Sequence, residues 1–461
     1  MELTEKKMLI SEELPFKFDI EVKAKAETDM EEIIIQSVPG DKSISQRAVI
    51  LNALSGGTGK IKGILKSRDI FSCVGGLSQL GVPVWWEEDT LVVKGVGLNG
   101  LMQPEDKLYM DNTATSTRIL LSILAGSQLK SEITGNDLLS NRPMKWVVSH
   151  LIKMGAKITF LDRTGYLPLV INGKYPLDPV TVKATVASAQ EKSAVLFAGM
   201  FADGVTKYEQ LCQSRDHTER MMRYFGLPVK SAGNTTQISG MKRYEAKDIE
   251  VPGDISSAAF LLTAYVIRKD KIKGNMILKG IGANNTRTGY INQLKKMGAR
   301  IDFKNIGEMS GEPVADIVCA QTDTLKSVEI GNIEEIQGLI DEIPLLAAAA
   351  AYADGITVLK GCEELKDKDT NRIETTTEVL RKFGADIEAT HSRIVVHGGR
   401  ALHPARVSSH GDHRIAMMGV VMGGSFREPS YIENCECISV SYPTFIKDLS
   451  YLADIRVIPS K

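Results

Sequence analysis

The sequence predicts an α/β fold assembled from six copies of one mixed module. Three observations carry that prediction. One pattern, an apolar helix end followed by a glycine and a short β-prone run, recurs along the whole chain. Its recurrences fall roughly 70 to 85 residues apart, too long for a thin solenoid repeat and long enough for several strands and helices each. Between them, helices open on short polar turns that repeatedly include Lys or Arg.

The recurring pattern reads Leu77-Ser-Gln-Leu-Gly81-Val-Pro-Val84, Leu151-Ile-Lys-Met-Gly155-Ala-Lys-Ile158 and Met222-Arg-Tyr-Phe-Gly226-Leu-Pro-Val229. It returns as Leu294-Lys-Lys-Met-Gly298-Ala-Arg-Ile301 and Leu380-Arg-Lys-Phe-Gly384-Ala-Asp-Ile387, and in degraded form as Leu449-Ser-Tyr-Leu-Ala453. Glycine sits where a helix C-cap belongs, because it adopts the left-handed conformation at little cost.

The first thirty residues are a charged lead with one candidate strand, Phe16 to Val22, and carry no recognisable chemistry. Ile33-Ile34-Ile35 reads as a strand broken by Pro39-Gly40, after which Ser43 to Leu54 has helical spacing. Lys42, Ser43 and Arg47 therefore stand at a helix start, where free N–H groups and the helix dipole favour an anion. Gly56-Gly-Thr-Gly-Lys60 resembles a P-loop, but Leu54 and Ile61 occupy positions that motif needs as Gly and Ser/Thr, so a hairpin or loop turn is predicted. Gly95-Val-Gly97-Leu-Asn-Gly100 fits G-x-G-x-x-G, yet Pro104 and charges follow it, so it reads as a strand-to-strand turn.

Asp111 to Arg118 leads into a helix from Ile119 to Leu124, and Asn141-Arg142-Pro143 places proline at a helix N1 position. Ser188-Ala189-Gln190 opens another helix, and Ser214-Arg215-Asp216-His217-Thr218-Glu219 has capping-box character. Asp341-Glu342 introduces an alanine-rich helix, and Ile343 to Ala353 reads as buried because it is too short to cross a bilayer. Lys368 to Arg372 and Asp412-His413-Arg414 each join an acid, a base and an arginine at a helix start.

Helix dipoles favour acids at their N-termini, so basic residues there need another reason. Lys42, Arg47, Arg118, Arg142, Arg215, Lys368, Arg372 and Arg414 all fall in such turns. With a net charge of −1 over 461 residues, their clustering implies one local electropositive cleft for small acids. Asp341 and Asp369 among them are candidates for proton transfer.

Neither the neutral charge nor the 6% aromatic content favours a nucleic-acid partner, and nothing favours a membrane. Six dispersed cysteines without zinc spacing suggest free thiols in a reducing compartment, and the Glu- and Lys-rich N-terminus does not read as a signal peptide. A cytoplasmic location is expected. His410 and His413, three apart, have no further ligand cluster in sequence, so no metal is expected.

The set PGDKSISQR, NRPM, SAQ, SRDHTE, LIDE, KDTNR and DHRIAM, in this order, resembles the 5-enolpyruvylshikimate-3-phosphate (EPSP) synthase family from about Ile35 to Leu452. The SRDHTE and DE-x-P motifs look closer to one bacterial branch than to the plant-like branch. The resemblance implies a two-domain inside-out α/β barrel of six βαβαββ-like units with the active site in the interdomain cleft. Its domains would be 1–38 with 253–461, and 39–252. It implies enolpyruvyl transfer from phosphoenolpyruvate to the 5-hydroxyl of shikimate 3-phosphate, with no cofactor and no metal, in a monomer. By position, Lys42, Asp341 and Asp369 match catalytic residues. Lys42, Ser43, Arg47, Ser188, Ala189, Gln190, Arg215, Asp341 and Lys368 match shikimate-phosphate contacts. Lys42, Asn112, Ala114, Arg142, Gln190, Arg372 and Arg414 match phosphoenolpyruvate contacts.

Several residues depart from the family. Asp111 and Ala114 stand where the usual G-N-A-G-T has glycines, Asp369 is one methylene shorter than the usual glutamate, and Val440 replaces a lysine of some members. Ala114 implies a poor fit for the inhibitor glyphosate. The alternatives are a relative acting on another acceptor, such as a UDP-sugar, or a catalytically silent anion-binding paralogue.

Overall fold

The computed structural model describes residues 17–26, 32–268 and 274–460. The charged N-terminal lead, including Phe16 of the expected first strand, lies outside the described residues. Contacts divide the chain into two compact units. The first comprises Met1–Pro39, Gly253–Ile306 and Ala315–Lys461, and the second Gly40–Pro252 with Gly307–Val314. The hairpin tip Gly307–Val314, which the sequence boundaries leave in the first unit, groups with the second.

The described residues form six four-stranded sheets with one shared plan. In the sheet of the second unit's last module, Thr181–Lys183 runs parallel to Val205–Glu209, which is antiparallel to Thr235–Ser239, itself antiparallel to Val229–Ala232. A parallel pair needs a crossover, and the helix Ala189–Gly199 supplies it. A second helix, His217–Tyr224, then leads through Gly226 into the antiparallel hairpin. Three sheets take in a strand from far along the chain, the first with Phe18–Ala24 between Ser430–Glu433 and Ala453–Pro459. Ile249–Glu250 pairs with Gly56–Lys62 at the far end of the second unit, and Glu32–Ile35 pairs with Asn275–Gly282 in the first.

The two helices of a module differ in kind. The first helices, Lys42–Ala53, Ala114–Ala125, Ala189–Gly199, Ile255–Val266, Ile343–Ala351 and His413–Gly423, are buried nearly all round. An apolar circumference has no solvent face, so these helices form the core and the sheets cover them. The second helices, such as Arg68–Gln79 and Arg372–Lys382, bury one face only. This is the inside-out α/β arrangement, and it sets the N-termini of buried helices, with their unsatisfied N–H groups, where the polar turns lie.

Gly81, Gly155, Gly226, Gly298 and Gly384 all have positive φ, between 79° and 104°. The degraded copy needs no such residue, because Ala453 is already in the strand Ala453–Pro459.

Four local expectations are corrected. Gly56–Lys62 is a strand, not a turn. Gly59 serves close packing, since a Cβ there would lie 2.3 Å from the Asn52 side-chain oxygen, which itself bonds Lys247 N. The helix expected at Ile119 begins at Ala114, so Arg118 lies inside it. Pro143 precedes the N-cap Met144 of Lys145–Lys153 and is not at N1. No capping box forms at His217–Tyr224. Asp216 accepts from Arg220 and Glu219 pairs with Lys192 instead.

Candidate functional site

In the second unit, the helix starts hold Lys42 beside a carboxylate and Arg47 among neutral oxygens. Asp41 caps Lys42–Ala53 by accepting from Ile44 N at 2.9 Å. This sets Lys42 in the first turn, with Nζ 3.1 Å from Asp69. Arg47, one turn on, is 4% exposed. It donates to the Thr218 hydroxyl at 2.6 Å, the Ser193 hydroxyl at 2.8 Å and the Ser43 carbonyl at 2.9 Å. Burial pushes its guanidinium down to about 10, Asp41 and Glu219 work against that, and the Arg215 charge alongside adds to it. A buried cation held by hydroxyls and facing a like charge suits a multiply charged anion.

Ser188 caps Ala189–Gly199 through Glu191 N at 3.3 Å, which presents Ala189 and Gln190 in the first turn. Gln190 accepts from Arg118 and donates to Thr115 at 3.2 Å. Arg118 also donates to the Pro143 carbonyl at 2.9 Å and lies over the Trp146 ring. Gln46 donates to Thr113 at 2.8 Å, so the segments bearing Lys42, Asn112 to Ala114, Arg142 and Gln190 are tied into one cluster. Ala114, buried at 4% exposure, is the first residue of its helix.

The sequence reading missed the buried support beneath this cluster. Lys192, 1% exposed, pairs with Glu219 at 2.7 Å and donates to Gln210 and to the Ser214 carbonyl. Glu191 lies 2.7 Å from His150 Nε2 and accepts from Tyr208 at 2.9 Å, while His217 lies 2.8 Å from Glu312. The available signal was Glu191-Lys192 inside an otherwise apolar helix.

In the first unit, the expected residues meet in an ion-pair network. Arg372, 3% exposed, donates through Nε and Nη2 to both oxygens of Asp412 at 2.7 and 3.1 Å. Its Nη2 lies 3.3 Å from Asp369, and its Nη1 3.6 Å from Asp341. Lys368 bonds Glu364 at 2.6 Å and approaches Asp341 at 3.6 Å. Arg414 lies 3.4 Å from Glu342 and 3.8 Å from Asp341. Glu342 also accepts from Ser256, which accepts from Arg287 at 2.6 Å.

Burial works against the Arg372 charge, but Asp412, Asp369 and Asp341 together hold its pKa above the ordinary arginine value. Burial likewise opposes the Asp412 charge, and Arg372 nonetheless keeps that carboxyl below the usual carboxylate range. Lys368 does the same for Glu364. Lys368, Arg372 and Arg414 here face five carboxylates, so the first unit's share of the basic turns is not electropositive, contrary to the sequence expectation.

Asp369, Asp412 and His413 bring ligand-type atoms within 4.8 Å of one another. This group differs from the His410–His413 pair weighed in sequence, because His410 points to Glu378 at 3.0 Å. The Arg372 guanidinium already occupies its charge, bonding Asp412 twice.

The chain matches the family model for EPSP synthase (3-phosphoshikimate 1-carboxyvinyltransferase) over residues 26–449. It is 43% identical over 417 residues to 3-phosphoshikimate 1-carboxyvinyltransferase of Bacillus anthracis, covering 90% of this chain and 96% of that one. The same enzyme of Bacillus thuringiensis subsp. konkukian is also 43% identical over the same shares. The solved EPSP synthase of Acinetobacter baumannii superposes with a TM-score of 0.83 at 34% identity, covering 95% of this chain and all of that one. The enolpyruvyl transferase NikO of Streptomyces tendae shares the fold alone, with a TM-score of 0.75 at 16% identity over 97% of this chain and all of that one. On sequence, motif order and fold together, this chain belongs to the EPSP synthase family.

Proposed function

We propose that this chain transfers the enolpyruvyl group of phosphoenolpyruvate to the 5-hydroxyl of shikimate 3-phosphate, releasing phosphate. The observation that carries this reading is Arg47: a buried guanidinium bonded to neutral oxygens, with the Arg215 charge adding to the local positive field, suits a phosphate dianion.

In this reading Ser43, Arg47, Ser188, Ala189, Gln190 and Arg215 hold shikimate 3-phosphate, with Lys368 and Asp341 toward its ring hydroxyls. Arg142, Arg372 and Arg414, with Asn112, Ala114 and Gln190, hold phosphoenolpyruvate, and Lys42 touches both substrates. Lys42 or Asp369 gives a proton to the methylene carbon of phosphoenolpyruvate, and Asp341 takes the proton of the 5-hydroxyl as its oxygen bonds the adjacent carbon. Loss of a methyl proton with departure of phosphate restores the double bond in the product. General acid–base steps of this kind contribute on the order of a hundred- to ten-thousandfold.

In support of the base role, the Asp341 carboxylate lies 3.6 to 3.8 Å from Lys368, Arg372 and Arg414, the cations assigned to the two substrates. A cytoplasmic monomer with small-molecule partners, neither nucleic acid nor membrane, is part of the proposal. All six cysteines are free, and among the described residues no helix is long and apolar enough to cross a membrane.

The test is a coupled phosphate-release assay with phosphoenolpyruvate, with and without shikimate 3-phosphate. Release that requires both substrates supports the reading. No release, or release indifferent to shikimate 3-phosphate, overturns it.

A further inference from the structure

Asp111 stands where the family resemblance leads one to expect glycine, and its backbone keeps the glycine-like conformation, with φ at +45°. Side chains rarely adopt this region, and Asp and Asn do so mostly when they can bond locally. Asp111 does bond locally, in three ways. Its carbonyl accepts from Asn136 N at 3.0 Å, its Oδ1 accepts from Asn136 Nδ2 at 2.9 Å, and its Oδ2 lies 3.2 Å from Arg68.

Asn136 is the N-cap of the short helix Asp137–Ser140, accepting from Leu139 N at 3.0 Å. The carbonyl of Leu139 in turn accepts from Arg142 N at 3.0 Å. An unbroken series of hydrogen bonds thus runs from Asp111, in the turn before Asn112 and Ala114, to the backbone of Arg142. A glycine at 111 supplies the carbonyl link but not the side-chain one.

We infer that Asp111 is a positioning residue that fixes the Arg142 segment against the Asn112–Ala114 turn, and so sets how tightly this chain holds phosphoenolpyruvate. The inference rests on the proposed role of Arg142 in binding that substrate. Asp111 touches neither substrate in this account; it acts through Asn136.

The test is steady-state kinetics of D111G, D111N and R142Q with each substrate varied in turn. Glycine is at ease at positive φ, so D111G keeps its fold. Losing one well-formed hydrogen bond predicts a KM for phosphoenolpyruvate raised about three- to tenfold in D111G. Its kcat should stay within about twofold, and its KM for shikimate 3-phosphate should be unchanged. D111N keeps an oxygen for Asn136 and loses only the half-exposed Arg68 pair, so it should stay near the parent chain. If the Asp111 charge were what mattered, D111N would instead tighten phosphoenolpyruvate, and that result overturns the inference. An unchanged KM in D111G, when R142Q raises it, overturns the positioning role alone. An unchanged KM in R142Q overturns the assignment of Arg142 itself and the inference with it.

Discussion

Arg47 in the second unit and Arg372 in the first are buried to the same depth, 4% and 3% exposed, yet they live in opposite surroundings. Arg47 is bonded to two hydroxyls and a carbonyl, and desolvation lowers its pKa. Arg372 is gripped by both oxygens of Asp412 with Asp369 and Asp341 near, and its pKa rises against the same desolvation. Burial alone therefore does not say what an arginine is for; the charge of its partners does. The second unit bonds Arg47 directly to neutral oxygens, whereas the first pairs Arg372 directly with carboxylates, of which Asp412 is held below its ordinary range.

This contrast can be broken or sharpened in order of expected effect. The largest effect is on turnover: Asp369→Asn is expected to lower kcat by at least about a hundredfold while leaving substrate dissociation constants within about threefold. Stopped-flow turnover alongside equilibrium binding checks it, and equal turnover in the mutant would remove Asp369 from the chemistry.

Next is stability. Asp412→Ala leaves Arg372 buried without its main counter-charge and should cost about 3–5 kcal/mol. Arg47→Met should cost less than about 2 kcal/mol, because Ser193 and Thr218 already lie 2.7 Å apart and can satisfy each other. It should nevertheless abolish measurable shikimate 3-phosphate binding. Urea unfolding midpoints with calorimetric binding compare the two, and equal destabilisation would break the contrast.

A smaller effect is the acid limb. The carboxyls of Asp412 and Glu364 are held below their ordinary values, 3.8 and 4.5. Such groups add stability that is present above those values and lost as pH falls through the lowered ones. Melting temperature should therefore drop progressively below about pH 4.5, and Asp412→Asn should flatten that drop. A mutant with the same acid slope as the parent would show that Asp412 is not the group responsible.

The smallest is steric. Ala114→Gly removes one methyl at the start of a buried helix and should tighten glyphosate competition against phosphoenolpyruvate by about tenfold, the scale of a single methylene in a shaped pocket. Equal inhibition of both forms would show that Ala114 does not gate the inhibitor.

Much of the fold was legible in order and kind. The five capping glycines, the alanine-rich core helix after Asp341-Glu342 and the opening at Ser188 all rest on local preferences, which act over one or two turns. Where local signals misled, a distant contact decided. Gly56 to Lys60 looks like a turn until Asn52 and Lys247 are seen to need the space beside a strand. Asp216 looks like half of a capping box until Arg220 claims it.

By itself, the sequence determined the module, its sixfold recurrence and which turns carry cations, because periodicity and capping are properties of neighbouring residues. Only the tertiary structure decided which cations are neutralised and by what. Asp412 lies forty residues from Arg372 in the chain, Ser193 lies 146 from Arg47, and Lys192 meets Glu219 from another helix. The electrostatic character of a buried group is set by whatever stands within a few ångströms of it, and that neighbourhood exists only once the modules have closed.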